Sequence, residues 1–277
     1  MKRITILGNP RKPAVAQAVE RVEPWLAERA EVTVDLEMQG EPGPEDVDFA
    51  VVLGGDGSVL RAARKVGCRG VPLLGINVGK FGFLTEGQSD ELEAILDDVL
   101  QERCELAERM MLQCTLERDG DVLLETVALN DAVVSRTALS RIITIDLHVD
   151  GELVTTYRAD GLIVATPVGS TAHSLAAGGP ILYPELEGMV VTPICPHTLS
   201  NRPLVLPPDL RLSMKAREFA QPPALTVDGQ VSRELEEADL VRLRRSESPL
   251  RLIRTGRNTF FETLRTKLDW RGQPRYV

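Results

Sequence analysis

The residues with the clearest chemical potential lie in one short stretch, Gly54-Gly55-Asp56-Gly57-Ser58. Glycines let a backbone take positive φ and approach a ligand closely. A carboxylate is electrostatically odd in a turn that only holds phosphates. It has a task if it holds a metal ion, or takes the proton from a hydroxyl that is being phosphorylated. The competing structural reading is a tight turn whose Asp56 caps the helix that follows.

A second stretch begins at Asp160 and runs through the apolar Gly161-Leu162-Ile163-Val164-Ala165. It continues into Thr166-Pro167-Val168-Gly169-Ser170-Thr171-Ala172-His173-Ser174 and then Ala177-Gly178-Gly179-Pro180. Small and hydroxylated residues at a helix N-terminus offer N–H and O–H groups to phosphate or ribose, and they leave room for a ring system. The bland alternative is a connector between strands. Asn130-Asp131 follows an apolar strand, where its side chains could face a cleft, but alone it is a common turn dipeptide. Two nucleotide-binding devices are absent. There is no GxGxxG, and Gly75-Ile76-Asn77-Val78-Gly79-Lys80 falls one residue short of a Walker loop, with Phe81 where Ser or Thr is needed.

The elements that must position these residues change character along the chain. Ile4–Leu7 reads as a strand, and Pro13 opens a helix with Val15, Ala18, Val19, Val22, Trp25 and Leu26 on one stripe. Val32, Val34 and Leu36 alternate as a second strand. Phe49–Leu53 is a buried strand that ends at the glycine turn, and Ser58–Lys65 is rich in helix formers. Val71–Ile76 is a further strand. Ser89 is placed to cap a helix carrying Leu92, Ile95, Leu96, Val99 and Leu100. This alternation implies a parallel sheet with helices on its faces. From Glu105 onward period-two patterns take over, with Asp119-Gly120, Asp150-Gly151 and Asp228-Gly229 as hairpin turns and one short helix after Thr171. A helical pattern returns around Phe260, Phe261, Leu264 and Leu268.

Bulk properties narrow the function classes. The chain has 277 residues, 43% hydrophobic, with a net charge of −9. That charge opposes nonspecific binding to nucleic acid or to anionic membranes. Cys68, Cys104, Cys114 and Cys195 show no CxxC, and they read as reduced thiols of a cytoplasmic protein, mostly core fillers. The three His residues show no metal-ligand spacing. The apolar run after Met1-Lys2-Arg3 stops at Gly8-Asn9-Pro10, so no signal peptide is expected, and no apolar run approaches membrane-spanning length. Arg242-Leu243-Arg244-Arg245 reads as a solvated strand face.

Taken together, Gly54–Gly57, Gly75–Glu86, Leu129–Arg136, Arg158–Pro180, Pro193–Pro207 and Leu225–Gln230 resemble, in order and over most of the chain, the GGDG-type NAD kinase family. That family phosphorylates the 2′-hydroxyl of NAD's adenosine ribose to give NADP. The resemblance implies that Asp56 is the general base, that Gly57 lies against the substrate, and that Gly54, Gly55 and Gly57 approach phosphate. It implies nucleotide-site positions at Arg61, Arg141, Arg158 and Gln230, and an adenine-pocket position at Phe83. Asn130 and Asp131 would hold the ribose on the nicotinamide side. Thr171, Ala172, His173, Ser174 and Ala176 would belong to the wall around adenosine. Asp160 would reach the nicotinamide end of a dinucleotide held in a neighbouring subunit. The resemblance also implies ATP or polyphosphate as donor, Mg²⁺ as divalent cation, a homodimer or homotetramer, and no metal held by dedicated protein ligands. The implied fold is an N-terminal α/β domain over 1–104, a β-rich dinucleotide-binding domain over 105–250, and a tail over 251–277 that returns to the α/β domain. His173 stands where the family often has Tyr, and Ala176 where it often has a second Ser. Alternatives are a lipid kinase of the diacylglycerol-kinase type, a phosphofructokinase relative and a non-catalytic NAD-sensing protein. Thr144-Ile145-Asp146 lies 88 residues after the glycine turn, too far for the phosphofructokinase pattern, and reads as structural.

Overall fold

A computed structural model describes residues 1–79, 82–137, 142–198 and 201–270. The chain divides into two compact units, one built from residues 1–108 and those from 250 onward, the other from residues 109–249.

The first unit opens with β1 (Lys2–Gly8), α1 (Pro13–Ala27), β2 (Ala30–Asp35), β3 (Phe49–Gly54) and α2 (Asp56–Lys65). It continues with β4 (Leu73–Asn77), the two-residue β5 (Gly87–Gln88), α3 (Leu92–Leu100) and β6 (Glu105–Arg109). The strands β2, β1, β3 and β4 lie side by side in that order, all parallel. Every residue of β3 is buried, as a central parallel strand covered on both faces requires. The apolar stripes of α1 and α3 pack with Ile4, Ile6, Val51, Leu53, Leu74 and Ile76 in one core. Because β1 has β2 on one side and β3 on the other, the strand order reverses direction between β1 and β3. In open parallel sheets that is where ligands enter, at the carboxyl ends of the strands. Ser89 does not cap α3. It starts a 3₁₀ turn, Ser89–Glu91, and the Gln88 N–H donates instead to the Glu91 carboxylate (3.2 Å).

The second unit is a sandwich of two six-stranded antiparallel sheets. Its strands are β7 (Leu112–Arg118), β8 (Asp121–Ala128), β9 (Asp131–Ser135), β10 (Ile143–Val149), β11 (Glu152–Ala159) and β12 (Gly161–Ala165). After the four-residue α4 (His173–Ala176) come β13 (Met189–Ile194), β14 (Leu204–Leu206), β15 (Leu212–Arg217), β16 (Ala224–Val227), β17 (Val231–Glu234) and β18 (Asp239–Arg245). One sheet runs β11-β10-β15-β18-β7-β8 and the other β14-β13-β12-β9-β16-β17. Their inward residues, among them Leu116, Ile145, Leu162, Val164, Met214 and Leu243, share one core. The three Asp-Gly pairs turn hairpins with positive φ at both residues, which these two residue types tolerate best. Arg242, Arg244 and Arg245 form ion pairs with Glu117, Glu247 and Glu187 on the strand face. Asp146 is paired with Arg217 at 2.9 Å, a structural use of that residue. Cys114 is buried, and burial pushes its thiol up to about 12. Cys195, by contrast, is exposed and fills no core.

The chain then returns to the first sheet through β19 (Leu250–Arg254), parallel to β4, and ends its described part with α5 (Phe260–Lys267). Strand β6 lies beyond β19 in the same sheet. Glu86, 1% exposed, fastens this return. Its Oε1 accepts from the Thr255 N–H (2.7 Å) and hydroxyl (2.9 Å). Its Oε2 faces Arg254 Nε at 2.8 Å as an ion pair without hydrogen-bond alignment. The Asn258 side-chain amide donates to the Glu86 carbonyl, and the Phe260 ring lies 6.1 Å from that of Phe83. Glu86→Ala strands these half-buried donors and should cost about 2 kcal/mol, whereas Glu86→Gln, which keeps an acceptor, should cost less. Urea unfolding of both variants measures this. A loss below about 1 kcal/mol for the Ala variant would mean that the pairing of β19 holds the return by itself.

Candidate active site

In the first unit, β3 delivers its carboxyl end to Gly54-Gly55-Asp56-Gly57. None of these glycines adopts positive φ. Gly55 is the N-cap of α2 in an extended conformation, φ −106° and ψ −170°, with no side-chain cap. The small residues serve approach instead: a Cβ on Gly54 would stand 2.1 Å from Ser58 Oγ. Asp56 is the first residue of α2 and does not cap it. Its carboxylate reaches over the Gly82–Leu84 loop, where Oδ2 accepts from the Phe83 N–H (3.0 Å) and Oδ1 from the Leu84 N–H (2.9 Å). Asp56 and Phe83 are half-buried, and Gly57 is exposed. One turn along α2, the Arg61 guanidinium donates to the Glu37 carbonyl (2.6 Å). Arg61 lines a cleft of about 700 Å³ with Asn9, Pro10, Arg11, Glu37, Met38, Gln39 and Lys65. Asn9–Arg11 follow β1 while Arg61 and Lys65 belong to the helix that follows β3, so the cleft sits at the reversal of strand order. Its three cations could meet a run of phosphates.

In the second unit, β9, β12 and the β16–β17 hairpin bring loops together at one end of their sheet. Asp228, in the hairpin turn, is buried and accepts three backbone N–H bonds, from Leu129 (3.0 Å), Asn130 (2.8 Å) and Asp131 (3.2 Å). The Thr166 N–H donates to the Asn130 carbonyl at 2.8 Å. Gly169 lies so close that a Cβ there would stand 2.0 Å from the Asn130 oxygen, which leaves no room for any side chain. Ser170 is fixed by donating to the Pro167 carbonyl (2.6 Å) and accepting from the Leu182 N–H (2.9 Å). Ser174, buried, shares a hydroxyl bond with Thr192 (2.8 Å). Thr171 and Ala172 are half-buried, while His173, Ala176 and Gln230 are exposed. Thus Asn130, Asp131, Thr171, Ala172, His173, Ser174, Ala176 and Gln230 are built on neighbouring loops of one unit.

The opposite end of β12 carries Asp160. It forms a two-pronged pair with Arg136, Nε to Oδ1 at 2.7 Å and Nη2 to Oδ2 at 3.2 Å. Arg158 is exposed at the same end, and its carbonyl accepts from the His197 N–H (2.9 Å). Arg141 lies outside the described residues. Sequence reading missed Asp228, read only as half of a hairpin turn, and Arg136, which was part of the resemblance but had no role assigned. Their signal is tertiary. No group of three or more His, Cys, Asp or Glu side chains able to hold a metal occurs among the described residues, and none of their helices is long and apolar enough to cross a membrane.

The ATP-NAD kinase N-terminal domain matches residues 40–104, and the ATP-NAD kinase C-terminal domain matches residues 129–255. The NAD kinase of Koribacter versatilis (strain Ellin345) is 41% identical, over 98% of this chain and 99% of that one. The NAD kinase of Geobacter sulfurreducens is 43% identical over the same shares. The chain belongs to the NAD kinase family. It is an enzyme of that family, and the lipid-kinase and non-catalytic readings find no support. Solved NAD kinase relatives share the fold. A yeast NADH kinase complexed with NADH superposes with a TM-score of 0.85 at 26% identity, covering 100% of this chain and 90% of that one. An NAD kinase from Archaeoglobus fulgidus in complex with ATP superposes at 0.77 with 27% identity, covering 95% and 99%.

Burial first, and the Asp228 carboxylate second, push Asp131 up to about 7. The folded protein therefore binds a proton that the unfolded chain has released between about pH 4 and pH 7. The contribution of Asp131 to stability is greatest at acid pH and falls as pH rises to about 7, by up to about 1.4 kcal/mol per pH unit. Asp131→Asn removes this titration. Relative to the parent, the variant should gain stability progressively across this window and exceed it by at least about 1 kcal/mol at pH 8. Denaturant unfolding of both proteins from pH 4 to pH 8 checks this, and a constant difference would contradict it.

Proposed function

We propose that this chain transfers the γ-phosphoryl group of ATP to the 2′-hydroxyl of the adenosine ribose of NAD, giving NADP, with Asp56 as general base. The carrying observation is the place of Asp56, a carboxylate held by two amides in a glycine turn at the carboxyl edge of a parallel sheet, beside the reversal of strand order. The hydroxyl oxygen attacks the γ-phosphorus, the bond to the bridging oxygen of ADP breaks, and the hydroxyl proton passes to Asp56. Such a base contributes about 10²–10⁴-fold. Arg11, Arg61 and Lys65 would receive the donor's phosphates in their cleft. Polyphosphate would present a similar run of charge. Gly54, Gly55 and Gly57 would let those phosphates approach the start of α2.

On the second unit, Asn130 and Asp131 would bind ribose hydroxyls, and Thr171, Ala172, His173, Ser174 and Ala176 would wall the adenosine. Phe83 would line the adenine pocket. Arg141 and Gln230 would complete the nucleotide site, and Arg158, at the Asp160 end of β12, would join Asp160 in serving a neighbouring subunit's dinucleotide. Asp160 lies at the far end of β12 from Asp131, about 16 Å away by strand rise. That separation favours its serving a dinucleotide in a neighbouring subunit, and hence a homodimer or homotetramer. Mg²⁺ bound through substrate phosphates needs only one or two protein carboxylates. The residues present fit an ion that arrives with ATP, with Asp56 a candidate ligand, better than an ion resident in a protein cage. When bound, it would neutralise phosphate charge. The acidic chain with free thiols fits the cytoplasm.

Asp56→Asn should lower kcat by at least about 10²-fold with little change in NAD affinity. The carboxamide also sets an N–H₂ against one loop N–H, so melting temperature should fall modestly. Near-normal turnover would remove Asp56 from the mechanism. Arg61→Ala should raise the KM for ATP about tenfold or more while sparing the KM for NAD. A rise confined to NAD would move Arg61 out of the donor cleft.

A further inference from the structure

We infer that Gly82 is a positioning residue for Asp56, because only a residue without a side chain lets the loop amides hold that carboxylate. The inference rests on Asp56 being the base. Gly82 is buried at the start of the turn whose next two N–H groups, from Phe83 and Leu84, each bind one oxygen of Asp56. A Cβ at position 82 would stand 2.0 Å from Oδ1, 2.6 Å from Cγ and 2.8 Å from Oδ2 of Asp56. Such atoms do not approach closer than about 3.0 Å. The carboxylate would have to retreat by on the order of 1 Å, a displacement that can cost about 10²-fold in rate. The loop cannot easily yield instead. The Gly82 N–H donates to Thr85 Oγ1 (3.3 Å), and Thr85 is buried. On its other side, the Leu84 carbonyl abuts Gly75 of β4, where a Cβ would stand 2.5 Å from it.

Gly82→Ala and Asp56→Asn, made singly and together, test this through kcat, NAD KM, NAD binding and melting temperature. Gly82→Ala should lower kcat about 10²-fold with NAD KM and binding within about threefold. In the Asp56→Asn background it should change kcat by less than about threefold, since a residue acting only through Asp56 has nothing left to position. A folded Gly82→Ala enzyme within about threefold of parental turnover overturns the inference, and so does the full loss reappearing in the double variant. If Gly82→Ala does not fold, Thr85→Val decides. It keeps the buried shape without the Oγ1 acceptor, and kcat should fall about tenfold and recover in Thr85→Ser. Parental turnover in Thr85→Val would then overturn the inference. Retained turnover in Asp56→Asn would remove the base assignment itself, whereas a collapsed Asp56→Asn beside an indifferent Gly82→Ala removes only the positioning role.

Discussion

Loops at strand ends leave backbone N–H groups without partners, and buried ones must be satisfied. In this chain carboxylates do much of that work around the candidate site. Asp56 takes the N–H groups of Phe83 and Leu84. Asp228 takes those of Leu129, Asn130 and Asp131, and Glu86 takes that of Thr255. Each bond joins elements distant in sequence, so each fixes the shape of a loop that neither helix nor sheet pairing reaches. Of the residues proposed to touch substrate, Phe83, Asn130 and Asp131 stand on these loops.

Such a design has an electrostatic consequence in the second unit. Asp228 is committed to three amides, and it lies close enough to Asp131 to raise the latter further after burial has already done so. Of two neighbouring carboxylates, one therefore fixes backbone and the other holds its proton toward neutrality. A group poised this way can donate or accept a hydrogen bond, which suits a ribose hydroxyl that can do either. Arg136 and Asp160, at the far end of β12, are balanced in charge and need no such compromise.

Much of this arrangement was legible in the sequence, for reasons specific to each element. Phe49–Gly54 announces itself because a central parallel strand is buried on both faces and must be apolar throughout. Asp119-Gly120, Asp150-Gly151 and Asp228-Gly229 announce hairpins because few residue pairs tolerate consecutive positive φ. The glycine turn was located, but its backbone was misjudged. The residue before a helix is ordinarily extended, so Gly55 needs no positive φ. Partners across the chain were not legible. The Phe83 N–H lies 27 residues from Asp56, and Thr255 lies 169 from Glu86. No periodicity encodes such pairings, which arise only once the sheet order sets the strand ends side by side.

The same fact explains how Asp56 can serve two tasks. An ionised carboxylate offers about four lone-pair sites on its two oxygens. The Phe83 and Leu84 amides occupy one on each oxygen, so each keeps another for a substrate hydroxyl or a cation. The bonds that orient the carboxylate therefore do not consume its capacity to accept a proton. A capping role would have turned the side chain back on its own helix, whereas no side chain caps α2 here. By spending its amide contacts on the Gly82–Leu84 loop, the carboxylate is held at the start of α2 with an acceptor site left on each oxygen.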